Sequence, residues 1–315
     1  GGRPGLRRKQ AGVVMEADPG HYSVMADEME RYLFGLGDPL PHGAYCDCTA
    51  GAGGHARRIL SRAGRCQLIA IDRDLDALQR CRAHLSEFGS RVQYFHGGFS
   101  RLAQAAKGFL PLAGIVADLG LSRLQLEDAS RGFSLRKPGP LDMRFDRRQE
   151  LRADRLVNQS SERDLADTLY TLADERFSRR VARALVRARP IRDTAHLGQV
   201  VAAAVPRRAS LRIHPATKTF QALRMAVNDE LGEIGKLLAA VPRLLAPGGR
   251  FVVLSFHSGE DRLVKQSFRQ LATAGMYRLL TRRVVRPTDA EVQRNPASRS
   301  ARLRAVQRTE MAFSK

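Results

Sequence analysis

The chain has no tryptophan and only six tyrosines in 315 residues, so wide stacking of single-stranded bases on aromatic rings is not an evident binding mode. It has four cysteines, Cys46, Cys48, Cys66 and Cys81, and no two pairs spaced as in a zinc finger. Cys46 and Cys48 would share one face of a strand and read as buried core thiols in a reducing compartment. The histidines and carboxylates also lack ligand spacing, so no metal is expected. No run of 18 apolar residues is present, which excludes a predicted membrane-spanning helix. Hydrophobic content of 43% still suffices for a real core, of one large domain or two ordinary ones. Lysine is scarce too: the 53 basic residues are mostly arginine, a bias that GC-rich coding also produces. Against 32 acids they leave a net charge of +21, which suggests a polyanionic partner, nucleic acid foremost. An anionic membrane surface is the other candidate, but no basic amphipathic terminal helix favours it.

What is present begins with Asp47-Cys-Thr-Ala-Gly-Ala-Gly-Gly-His55. A strand expected over Ala44–Cys48 runs into small residues, and a helix-compatible stretch, His55–Ser61, follows. Glycines at 51, 53 and 54 let the backbone turn tightly and approach a ligand. A second strand, Gln67–Ile71, ends at Asp72, about twenty residues on, where an acid can accept from both ribose hydroxyls. Gly51-x-Gly53-x-x-Ala56 also fits a dinucleotide fingerprint, so the loop alone allows hydride or methyl chemistry.

Further strands are expected over Val92–Phe95 and Ile115–Asp118, with helical spacing between them, as at Leu78, Cys81 and Leu85. Such alternation predicts an α/β fold with a doubly wound parallel sheet. The next convincing strand is Arg250–Phe256, more than 130 residues after Asp118. One crossover needs only a few dozen, so about 100 residues form an insertion. Ser161-Glu-Arg-Asp164 resembles a capping box, and helical spacing continues through Phe177–Val186 and Leu197–Val205. Phe220–Leu245 reads as one long helix returning to the sheet. The expected organisation is a basic arm over 1–20, a core over 21–130 and 211–315, and a helical insertion over 131–210. The start at glycine reads as processed or truncated. Arg3, Arg7, Arg8 and Lys9 suit a remnant mitochondrial targeting segment or an RNA-contacting arm.

Polar clusters follow the fourth and fifth strands: Asp118-Leu-Gly-Leu-Ser122, and Ser255-Phe-His-Ser-Gly-Glu-Asp-Arg262. Ligands of a doubly wound sheet bind at such strand ends. Others lie at Arg131–Ser134, Pro140–Arg144 and His214–Arg224. Together with His21–Met25 and Asn295–Arg304, these blocks resemble the RsmH/MraW family of small-subunit ribosomal RNA cytosine-N4 methyltransferases, over about His21 to Arg304. The variants at 134–137 and 216–219 look closest to its mitochondrial methyltransferase-like member. The resemblance implies a class I methyltransferase (Rossmann-like) fold. It implies that Gly53, Gly54 and His55 contact S-adenosylmethionine, Asp72 holds its ribose, Phe99 flanks its adenine, and Asp118 and Gln125 complete the pocket. Departures from the family pattern are Arg123 in place of serine, Glu127 in place of aspartate, and Gly259 in place of leucine.

The acceptor implied is the exocyclic amine of a cytidine. Asp118 or nearby carbonyls would polarise it, and His257 or His214 would relay its proton. The bland reading of His257 is a structural hydrogen bond. Two arginine groups, at 176–192 and 294–304, suggest an RNA-facing surface; Arg179, Arg180, Arg183, Lys218, Arg224, Arg299 and Arg302 are the candidate contacts. The expected partners are small-subunit ribosomal RNA and the assembling small subunit. The expected setting is the mitochondrial matrix, with bacterial cytoplasm as the alternative. Competing readings are a nicotinamide oxidoreductase, which leaves the basic excess unexplained, and an RNA-binding assembly factor with little turnover.

Overall fold

The computed structural model describes residues 23–35, 43–206 and 214–311. The expected basic arm, the residues His21 and Tyr22, and the predicted insertion boundary at 210 lie outside them. Helix α1 (Ala26–Phe34) precedes strand β1 (Ala44–Asp47), α2 (Gly54–Arg62), β2 (Gln67–Asp72), α3 (Leu75–His84), β3 (Val92–His96), the single turn α4 (Leu102–Ala105) and β4 (Leu112–Asp118). Then come α5 (Arg123–Glu127), the insertion helices α6 (Ala153–Gln159), α7 (Glu162–Ala173), α8 (Ser178–Arg187) and α9 (Thr194–Ala204), and α10 (Thr217–Asn228) and α11 (Glu230–Leu244). The chain closes with β5 (Leu245–Ser255), α12 (Ser258–Thr273), β6 (Tyr277–Leu279), α13 (Asp289–Arg294) and β7 (Arg302–Arg308).

The seven strands form one sheet in the order β3-β2-β1-β4-β5-β7-β6. The first five are parallel, and β7 runs antiparallel to both β5 and β6. β1 is buried at every residue and β4 at all but Asp118, as expected of strands covered on both faces. One apolar layer packs α1, α2 and α3 on one face, and a second packs α4, α11 and α12 on the other. The direction of winding reverses between β1 and β4, the switch point at which such sheets bind ligands. Asp47 and Asp118 are the last residues of those two strands.

The insertion has its own core, with Val157, Leu165, Leu169, Val181, Leu185 and Leu197 buried together. Ser161 caps α7 and Asp193 caps α9, each accepting a backbone N–H from the first turn. The single helix expected over 220–245 is two. Asp229 adopts φ 48° and breaks it. α10 then turns Phe220, Leu223 and Val227 into the insertion core, while α11 turns Ile234, Leu237 and Val241 into the sheet core. So α10, assigned to the sheet domain by sequence, packs with the insertion. The apolar spacing continues through both helices, which is why the break was not legible.

Candidate active site

The loop after β1 is held by backbone bonds to acids on two neighbouring strands. Asp72 Oδ2 accepts the Gly51 N–H at 2.8 Å and Oδ1 accepts the Asp74 N–H at 2.8 Å. Asp47 Oδ1 accepts the Thr49 N–H at 3.1 Å, and Thr49 Oγ1 accepts the Asp118 N–H at 2.6 Å. Gly53 has φ +93°, and a Cβ there would stand 3.2 Å from Cys81 Sγ and 3.3 Å from Leu85 Cγ. Only glycine both turns there and leaves α3 in place. Helix α2 starts immediately, so Gly54 and His55 sit in its first turn, where backbone N–H groups face away from the helix.

His55 is buried, with Nε2 3.5 Å from Asp118 Oδ2. That is ion-pair reach without hydrogen-bond alignment, and neither ring nitrogen has a hydrogen-bond partner. Asp118 Oδ1 and Asp47 Oδ2 are also buried and unpartnered. Buried polar atoms are almost always satisfied, and leaving one unmade costs roughly 1–3 kcal/mol. Several such atoms gathered at the switch point mark a place built for a polar ligand. Burial pushes the Asp47 carboxyl up to about 6, with His55 opposing it. Burial also lifts Asp72 to about 6, against the pull of its two backbone bonds. Burial alone would lower His55, but Asp118 and Asp47 outweigh it and raise its pKa.

Gln125 lies beside this pocket with both ends of its amide bonded within the fold. Ser122 Oγ accepts the Gln125 N–H, Gln125 Oε1 accepts the Ser122 N–H at 3.0 Å, and Nε2 donates to Asp74 Oδ2 at 2.8 Å. Arg131 closes the network, 2.7 Å from Asp74 Oδ2, with both side chains 4% exposed. These bonds to Asp74 and Ser122 give Gln125 a positioning role in the free chain and leave its amide one further N–H and one further lone pair. Sequence reasoning misses the part played by Asp74 and Arg131; an N-cap acid two residues after Asp72 is the available signal. Phe99 opens a short turn after β3 and lies half-buried against the second core layer.

At the end of β5, His257 caps α12. Its Nδ1 accepts the Glu260 N–H at 3.4 Å, while Glu260 Oε2 accepts the Phe256 N–H at 2.9 Å. His257 Nε2 stands 3.1 Å from Glu260 Oε1. Burial disfavours a charged Glu260, but His257 and Arg224 prevail and hold its pKa below the usual value. Arg224 grips Glu230 with two bonds of 2.7 and 2.8 Å. Glu230, His257 and Glu260 bring ligand-type atoms within 4.8 Å of one another. Because Glu230 is tied to Arg224 and His257 to Glu260, the group reads as an ion-pair network.

Both histidines expected to relay a proton make local contacts in the free chain. His257 does capping work. His214 is exposed, its Nδ1 accepts the Ala216 N–H at 3.2 Å, and it lies beside Gly198 of α9. Among the basic candidates, Arg224 is paired, its guanidinium held by Glu230. The other basic candidates remain at the surface to differing degrees. Arg179 and Arg180 are exposed on α8; Arg183 is exposed but pairs with Glu162 at 3.2 Å. Lys218 donates to the Asp174 carbonyl at 2.8 Å. Arg299 is exposed, and half-buried Arg302 pairs in register with Ser255 at the end of β5. Between α7, α10 and α12 lies a cavity of about 260 Å³, lined among others by Asp174, Lys218, Gln221, His257, Gly259 and Arg262.

The departures at 123 and 127 explain each other: Arg123 Nε meets Glu127 Oε1 at 2.6 Å, one helical turn away, with Arg123 71% exposed. The pair faces solvent. Gly259 forms part of the cavity wall, where a Cβ would meet His257 Nδ1 at 3.3 Å.

A family model described as the MraW methylase family matches residues 18–309. A protein of Koribacter versatilis is 51% identical over 300 residues, covering 91% of this chain and 94% of its own length. One of Solibacter usitatus is 49% identical over 269 residues, covering 85% and 93%. Both are named ribosomal RNA small subunit methyltransferase H. The match spans sheet and insertion alike, and the chain belongs to the MraW methylase family.

Proposed function

We propose that the chain transfers a methyl group from S-adenosylmethionine to the exocyclic N4 amine of a cytidine in small-subunit ribosomal RNA. The observation that carries this reading is the set of unsatisfied buried atoms on Asp47, His55 and Asp118 at the switch point. The cofactor fits that donor set. Its ammonium and sulfonium groups are cationic and suit the free oxygens of Asp47 and Asp118. Its carboxylate suits the N-terminus of α2 at Gly54 and His55. Each Asp72 oxygen accepts one backbone N–H and keeps a lone pair for a ribose hydroxyl. Phe99 supplies an apolar surface for the adenine. When bound, S-adenosylmethionine supplies an electrophilic methyl group.

The acceptor amine is a weak nucleophile because its lone pair is delocalised into the ring. A carboxylate or carbonyl that accepts from the amine hydrogens counters this, and Asp118 at the end of β4 is that group. Thr49 fixes its backbone and His55 stands beside its carboxylate, so Asp118 is held in place. His55, rather than His257 or His214, is the imidazole within reach of it. The target base must leave any stack to reach this pocket, and the cavity beside His257 offers room for RNA at the reaction end. Such exposure is easiest in an assembling small subunit.

The relatives from Koribacter versatilis and Solibacter usitatus are bacterial, which favours the bacterial cytoplasm over the mitochondrial matrix. Replacing Asp118 with Ala should lower methyl transfer to small-subunit RNA by about a thousandfold, as for loss of a charge-stabilising group. The readout is labelled methyl incorporation, with mass spectrometry of the cytidine in cells lacking the protein. Near-normal turnover in the variant would overturn the assignment.

A further inference from the structure

From Arg262 to Thr288 the chain carries seven cations and no acid in 27 residues. None of them belongs to the candidate RNA contacts of the insertion. On α12, Arg262, Lys265 and Arg269 fall at i, i+3 and i+7, one stripe of the helix. The opposite face is buried through Val264 and Phe268. The two acids of α12 are already paired elsewhere: Glu260 is buried with His257, and Asp261 is gripped by Arg304 at 2.6 and 3.0 Å. Lys265, Arg269 and Arg282 share one crevice with Leu279 and Thr281. At the other end, Arg262 and Lys218 share the wall of the cavity beside His257.

Among the described residues, Arg262, Lys265, Arg269 and Arg282 have no hydrogen-bond or ion-pair partner, whereas Arg304 and Arg224 nearby each hold an acid. Gathering free cations without acids opposes folding through like-charge repulsion, a cost that a polyanion removes. We infer that this stripe is a second phosphate-binding track. It carries the RNA backbone along α12 from the cavity toward β6, while α8 holds RNA from the insertion side. The inference rests on the proposed RNA substrate and adds a specific path for it. Arginine forks and a lysine along about 10 Å of helix axis suit successive phosphates without reading bases.

The test uses the full chain with Lys265→Gln, Arg269→Gln and Arg282→Gln combined. The probe is small-subunit particles purified from cells lacking the protein. Methyl transfer should show KM for the particles raised about tenfold and kcat within about twofold. The slope of log affinity against log salt should flatten by about 2, for three lost phosphate contacts. S-adenosylmethionine affinity should be unchanged, and the melting temperature should hold or rise as like charges are removed. A control removes the same charge elsewhere, at exposed Arg62, Arg65 and Arg80, and should leave KM in place. Unchanged KM and salt slope in the α12 variant overturn the track, as does an equal loss in the control. A parallel variant at Arg179, Arg180 and Arg183 separates the two claims. If it weakens binding and the α12 variant does not, only the track fails. If neither weakens binding, the RNA-facing reading of the protein fails with it.

Discussion

Two clusters in this molecule have the same ingredients and opposite bookkeeping. Each joins one histidine to two carboxylates at a strand end: His55 with Asp47 and Asp118, and His257 with Glu260 and Glu230. In the second, Arg224 neutralises Glu230 and backbone amides fill Glu260. In the first, no arginine is bonded to either carboxylate among the described residues, and four buried polar atoms are left open, against one, His257 Nε2, in the second. The second cluster holds the sheet domain to α10. The first suits the cationic groups of the proposed cofactor. Residue type and motif density are the same in both; what distinguishes a site from a strut is whether its polar groups are already satisfied.

The sharpest way to break this contrast is to remove one acid from each. Glu260→Ala should destabilise the fold by about 3 kcal/mol, because it strips acceptors from buried N–H groups and uncovers the Arg224 network. Denaturant unfolding measures it, and an unchanged midpoint would show the cluster to be no strut. Asp47→Asn should act the other way. It should weaken S-adenosylmethionine binding about tenfold, as for one charged hydrogen bond, while stability holds or rises because a buried unpaired charge is gone. Calorimetric titration and thermal unfolding on the same sample decide it; lost stability with intact binding would make the Asp47 cluster the strut.

Much of the sheet was legible in the sequence because its strands are short, apolar and bounded by turn residues. The Asp47–His55 loop and Asp72 were legible for the same reason that they are useful: glycine and acid positions there are set by backbone geometry. The antiparallel β7 was not, since the arginines of Arg302–Arg308 read first as part of a basic surface and the segment has no turn signal of its own. The break at Asp229 was hidden by continuous apolar spacing. The partners of His257, Arg224 and Gln125 within the fold were not legible, because a polar residue after a strand looks the same whether it faces a ligand or a partner elsewhere in the fold. Arg131, which closes the Asp74 network from the far side of α5, shows the same limit: pairing across the fold leaves no local signature.

The smaller acid effect is in pH. Asp47 and Asp72 titrate near 6 in the folded chain, above the roughly 3.9 of an unfolded aspartate. Between about pH 4 and 6 the folded state binds more protons than the unfolded one, so stability falls as pH rises through that window. Above it the full cost of burying the charges is present. A cationic ligand needs those same charges, so its affinity moves oppositely and rises through pH 6. Protonation of His55 at low pH adds a like charge and works in the same direction. The thermal shift produced by S-adenosylmethionine should therefore grow from pH 5 to pH 7. Asp47→Asn should flatten that growth, and a pH-independent shift in the unmodified chain would remove the carboxylates from the ligand's contacts.

The least effect is expected at Arg123, the departure from the family pattern that sits nearest the reaction end in sequence. Placed after β4, a bulky cation looks able to disturb the acceptor side. In the fold it starts α5 and turns outward to Glu127, itself a departure, and the two make an exposed pair one turn apart. Exposed pairs of this kind contribute little, because water and salt screen them and two long side chains must be ordered. The capping box formed by Ser122 and Gln125 holds the start of α5 without Arg123. Arg123→Ser should thus leave kcat and KM within about twofold, the surface-pair limit. A clear rise in turnover would mean instead that the arginine reaches the acceptor when RNA is bound. The contrast between open and satisfied groups would then have to be drawn on the complex rather than on the free chain.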